Sequence, residues 1–161
     1  MKRQVRRNVF ETNSSSTHSI CVVKDDFLDD LKDVIYFHVG EFGWEYNKLY
    51  TPEKKASYLY TAILENNKLD LIEDMQNILI KNNIEFKLGE AKINEKYGFL
   101  ENGFIDHSEE LDEFLNICKD ENKLMRFLFS SKSYIVTGND NSHGSVAVNP
   151  GYPHDDFFKG N

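Results

Sequence analysis

The sequence predicts an α+β fold: a single domain over residues 1–161, with an antiparallel or mixed sheet of about four to six strands and about four helices packed on one side. Three observations carry that expectation. A chain of 161 residues is the size of one domain. Hydrophobic residues make up 40% of it and aromatics 13%, which is enough to fill a core and excludes wholesale disorder. Short β-branched runs alternate with segments of helical period, and no internal repeat or heptad run is present.

Taken in order, Val5 to Phe10 has strand character and Ile20 to Val23 is a short apolar run. Between them lies the polar stretch Glu11 to Ser19, so the segment reads as strand, polar loop, strand. Asp25 to Lys32 reads as a short helix with Phe27, Leu28 and Leu31 on one side, and Val34 to Val39 as a buried strand. Gly40 to Tyr50 is an aromatic-rich loop. Thr51-Pro52-Glu53 is a helix start, followed by Ala56, Leu59, Tyr60 and Ile63 on one apolar face. A second helix spans about Leu69 to Asn82, with Leu71, Ile72, Met75, Ile78 and Leu79 inward. Strands follow at Ile84 to Leu88 and within Gly98 to Ile105.

Ser108 opens another helix, with Leu111, Phe114, Leu115 and Cys118 as its stripe. Leu124, Phe127 and Leu128 mark a further short one. Tyr134 to Thr137 is a strand that ends in the turn signal Gly138-Asn139-Asp140-Asn141, with Ser145 to Val148 as a hairpin partner. The tail 150–161 reads as loosely ordered.

Charge and composition narrow the function classes. The net charge is −8 and the pI about 5.1, and the only basic cluster is Lys2, Arg3, Arg6 and Arg7. Phosphate neutralisation supplies most nucleic-acid affinity, so nucleic acid is not expected as a direct tight ligand. An acidic domain suits a basic partner surface instead. No apolar run approaches the roughly 20 residues of a membrane helix, and the basic start Met1 to Arg7 is followed by no apolar segment of a secretory signal. The expected location is the cytoplasm, with no membrane contact. Cys21 and Cys118 lie in apolar runs without zinc-site spacing, and read as buried small hydrophobes. The histidines show no zinc-binding spacing, so no metal site is expected, and no pattern names a cofactor or an oligomeric state.

Four polar or aromatic segments carry possible chemistry. The first holds six hydroxyl side chains between Thr12 and Ser19, with Asn13 and His18 among them. Ser14, Ser15, Ser16 and Thr17 could cradle a phosphate whose charge Arg6 and Arg7 neutralise, with His18 as acid or base. Equally, such hydroxyls bond the local backbone and cap the next element. The second is Glu41-Phe42-Gly43-Trp44-Glu45-Tyr46, whose Trp44, Glu41, Glu45 and Tyr46 read as partner contacts or as a plug that closes the core. The third is Asp106-His107-Ser108, either catalytic groups or a helix entry. The fourth is Gly138 to His143, where Asp140 is a catalytic or cation-binding candidate and the alternative is a hairpin turn.

The run from Arg6 through Asn8-Val9-Phe10-Glu11-Thr12-Asn13-Ser14-Ser15-Ser16-Thr17-His18 to Ser19 resembles the N-terminus of a group of small proteins from phages and prophages of Gram-positive bacteria. Gly40 to Trp44, Asp106 to Ser108 and Gly138 to Asn141 are similar to shorter stretches of that group. The resemblance implies a bacterial host cytoplasm and a viral or mobile-element origin. No catalytic role transfers with it.

Two readings of function follow. One is a phage- or prophage-encoded accessory protein that binds a host or defence protein, as an anti-CRISPR-like inhibitor does. The other is an enzyme or ligand-binding protein for a phosphate-bearing small molecule or nucleic-acid end. It would use Arg6, Arg7, Ser14 to His18, Asp106, His107 and Asp140. The two differ in geometry: chemistry needs these groups brought together, and a binder needs an exposed patch.

Overall fold

Thr51 takes the extended backbone of an N-cap, with φ −78° and ψ 151°, and Pro52 opens helix α1 (Pro52–Glu65) with Glu53 in its first turn. The structure is a computed structural model and describes residues 16–25, 27–43, 45–106, 111–139 and 156–160. The sequence expects one apolar face on α1. Instead every residue from Lys55 to Leu64 is buried, so the helix is enclosed on all sides. Its polar members tolerate this because each meets a partner. Ser57 Oγ accepts from His38 N at 3.0 Å, Thr61 Oγ1 from Gly40 N at 3.1 Å and Glu65 Oε2 from Ile105 N at 2.7 Å. These three stand at i, i+4 and i+8, one stripe of the helix.

The backbone they dock is a parallel ladder. Strand β2 (Val34–Phe37) pairs in parallel with β5 (Glu85–Leu88), and β3 (Glu41–Phe42) pairs in parallel with β6 (Phe104–Ile105). Residues 34–42 therefore have partners at both ends, while residues 89–103 leave the ladder and return. The excursion is braced by an antiparallel bridge, Ile93 to Leu100, and by Asn94 N donating to Phe99 O at 2.9 Å. It leaves at Gly89, whose carbonyl accepts from Tyr60 Oη at 3.0 Å. It rejoins at Gly103, where an added Cβ would sit 2.5 Å from Val39 Cγ1 and 2.7 Å from Gly40 O, so only glycine fits.

The second layer is a four-stranded antiparallel sheet. Its order is β4 (Asn47–Leu49), β7 (Tyr134–Asn139), β1 (Ser16–Val22), β8 (Asp156–Gly160). Helix α2 (Asp70–Lys81) buries Leu71, Met75 and Leu79. It ends at Asn82, and Asn83 takes a positive φ of 58° as Ile84 N returns to Leu79 O at 2.9 Å. A short α3 (Asp112–Leu115), a 3-10 turn Asn116–Lys119 and α4 (Glu121–Phe129) complete the described helices. Asp120 caps α4 by accepting from Lys123 N at 3.1 Å. One core joins the layers and includes Ile20, Phe37, Tyr58, Phe114 and Phe127, all fully buried.

The α+β class holds, with mixed strand pairing divided between the antiparallel sheet and the parallel ladder. Asp25 to Lys32 forms no helix. Asp25 Oδ1 accepts from Phe27 N at 3.0 Å, a local turn that competes with helical bonding, and Phe27 and Leu31 stay exposed. The polar stretch before Ile20 is not all loop, because β1 already begins at Ser16. Gly138 and Asn139 extend β7 rather than turning it. Of the tail, residues 156–160 form β8 on the edge of β1. The strand expected at Val5 to Phe10 and the hairpin partner at Ser145 to Val148 lie outside the described residues.

Candidate functional site

Strand pairing brings the first polar segment to the fourth. Ser16 lies opposite Asn139, Thr17 opposite Gly138 and His18 opposite Thr137. The second segment reaches the same place from the other side of β7, where Thr137 Oγ1 donates to Glu45 O at 2.9 Å. The third arrives through the parallel ladder, which Asp106 N prolongs by donating to Phe42 O at 2.9 Å. His18 then ties the first segment to the third, because its Nε2 bonds the backbone carbonyl of Asp106. Segments separated by more than a hundred residues in sequence thus meet at one end of β1.

Gly43 stands at the centre of that meeting. Its φ of +105° lies in a region that side chains rarely adopt. A Cβ there would come 2.6 Å from His18 Cε1 and 3.0 Å from Asp106 Cβ. The glycine lets the loop after β3 close onto the imidazole. At the ring edge, Tyr58 of α1 places its Oη 3.1 Å from His18 Nδ1. His18, Tyr58 and Asp106 are all fully buried. Burial pushes the Tyr58 phenol well above its usual range, so it keeps its proton.

His18 and Asp106 are therefore brought together, with the imidazole in the interior and both ring nitrogens engaged. Ser16 and Thr17 lie on β1 beside them. Arg6, Arg7, Ser14, Ser15, Trp44, His107 and Asp140 lie outside the described residues. Glu41, Glu45 and Tyr46 are exposed, Tyr46 by 61%. Sequence reading missed Tyr58 and Gly43. The available signals were a tyrosine off the apolar stripe of α1 and a glycine between two aromatic residues.

A second buried polar group lies elsewhere. Lys55 is fully buried, and its Nζ donates to the carbonyls of Ser130 at 2.7 Å and Ser133 at 3.1 Å, just beyond the C-terminus of α4. A cation suits the negative end of a helix dipole. Cys21 and Cys118 are buried, and burial pushes the Cys118 thiol up to about 12, far from a reactive thiolate. Among the described residues, no group of three or more His, Cys, Asp and Glu is placed to hold a metal ion, and no helix is long and apolar enough to cross a membrane.

Comparison with known protein families, with curated proteins and with solved structures finds no match to this chain.

Proposed function

We propose that the four converging segments form a site for a phosphate-bearing small molecule or nucleic-acid end, and that the chain works by binding or processing that ligand. The observation that supports the reading is the convergence on His18: β1, the Gly43 loop, Asp106 and the end of β7 all meet there. Catalytic and binding groups must lie within hydrogen-bond reach of one ligand, and strand pairing brings these segments to one place. The sequence around β1 supplies suitable chemistry in its run of hydroxyls and in Arg6 and Arg7. Calorimetric titration with inorganic phosphate, pyrophosphate, a nucleoside monophosphate and a short 5′-phosphorylated oligonucleotide tests the proposal. Binding of at least one, lost in Arg6→Ala/Arg7→Ala, is expected. A chain that binds none of the four rules the reading out.

A second reading is favoured by a separate observation. Glu41, Glu45 and Tyr46 are exposed on a stretch pinned at one end by β3–β6 pairing and at the other by β4–β7 pairing. A fixed acidic and aromatic surface suits a protein partner. On this reading the chain is a phage- or prophage-encoded accessory protein that binds a host or defence protein in the bacterial cytoplasm. A tagged pull-down from a Gram-positive host lysate should return one partner that Trp44→Ala and Tyr46→Ala both lose at unchanged melting temperature. A partner retained by both variants counts against this surface.

A further inference from the structure

The geometry assigns His18 as the positioning residue of this site, held as the neutral Nε2–H tautomer between the Asp106 carbonyl and the Tyr58 hydroxyl. A carbonyl oxygen only accepts, so the Nε2 that bonds Asp106 carries the hydrogen. Nδ1 of a neutral ring is then a bare acceptor, and the Tyr58 hydroxyl 3.1 Å away donates to it. Tyr58 is suited to that role because its burial keeps the phenol protonated. The ring so oriented joins three elements that share no strand pairing with one another: β1, α1 and the Asp106 segment. It fixes the spacing between β1 and the Asp106 segment, while proton transfer to a ligand falls to groups other than His18.

Among the described residues, the Tyr58 hydroxyl from α1 meets Nδ1 and the Asp106 backbone meets Nε2, with the Asp106 side chain beside them. An ionised Asp106 side chain would favour a second proton on the imidazole, and full burial of the ring opposes it. The decisive measurement is a long-range proton–nitrogen spectrum of the full chain labelled on its five histidines, with His18 identified by its loss in His18→Gln. An Nε2-protonated pattern that does not change between about pH 5.5 and 8 is expected, across the range where an ordinary histidine titrates. An Nδ1–H pattern, or a ring that titrates anywhere between about pH 5.5 and 8, overturns the assignment.

The ligand side of this assignment rests on the phosphate-site reading. Glutamine offers one donor and one acceptor across the same gap, so His18→Gln should bind pyrophosphate within about threefold of the unmodified chain. His18→Phe, which fills the space without either bond, should bind at least about tenfold more weakly at a melting temperature matched to His18→Gln. Equal binding by the two variants removes the positioning role. Absence of pyrophosphate binding by the unmodified chain removes the phosphate-site reading instead, and the spectrum still decides the tautomer.

Discussion

Lys55 shows how one buried residue sets a measurable property of the fold. Its ammonium has no exposure to water, and burial lowers its pKa from 10.5 to about 8 against the attraction of Asp30 and Asp29. The folded value lies below the unfolded one, so between pH 8 and 10.5 the unfolded chain holds more protons at this site than the folded chain. Stability from Lys55 therefore rises with pH through that window. The cost of the buried charge is full below about 8 and relieved above 10.5. A neutral amine keeps two N–H groups, enough for both the Ser130 and Ser133 carbonyls, so deprotonation relieves the charge without breaking the contacts. Urea unfolding of the parent chain and of Lys55→Met at pH 7.5, 9 and 10 isolates the effect. The parent should gain on the variant by an amount of the order of a few kcal/mol across the series. A constant difference would show that Lys55 does not titrate in the window.

Helix α1 organises the molecule at the scale of elements, and its polar stripe is the means. A helix buried on every side loses solvation for each polar side chain it carries. Here Ser57, Thr61 and Glu65 recover it by accepting the backbone N–H groups of His38, Gly40 and Ile105. The same bonds satisfy backbone donors on both strands of the parallel ladder. Thr61→Val keeps the shape of the side chain and removes the acceptor, leaving Gly40 N–H without its hydroxyl partner. It should cost about 1–3 kcal/mol, read as a lower denaturation midpoint at unchanged slope. No change in midpoint would mean that water replaces the hydroxyl freely.

The start of α1 was legible in Thr51-Pro52-Glu53, as were α2 and α4 from their periodicity. The burial of α1 from Lys55 to Leu64 was not, because Ser57, Thr61 and Glu65 look like an outer face until their acceptor role is seen. The false helix at 25–32 has the same origin in reverse: Phe27, Leu28 and Leu31 fit a helical period, but the Asp25 side chain claims the backbone first.

Across the whole molecule, the polar segments were visible in the sequence one at a time, and their meeting was not. Bringing Ser16 to Asn139 and His18 to Asp106 depends on strand register and on a glycine fit at Gly43, and no local pattern encodes either. What the sequence did contain was the apolar run Ile20 to Val23, and the fold gives it a larger role than its length implies. Strand β1 lies between β7 and β8 and pairs with both. Ile20 and Val22 are buried in the common core, and His18 carries the bond to the Asp106 segment. Removing β1 would therefore cut β8 from the sheet, strip one edge of β7 and leave Tyr58 without His18. Each buried aliphatic side chain lost is worth roughly 1.5–3 kcal/mol, and a domain has only about 5–15 kcal/mol to lose. Deleting residues 1–23 should abolish the cooperative thermal transition, followed by circular dichroism and by tyrosine and tryptophan fluorescence. His18→Gln, which keeps the strand and both hydrogen-bonding functions, should still melt in one step. A truncated chain that melts as sharply as the parent would show that β7 and the parallel ladder form a sufficient core without β1.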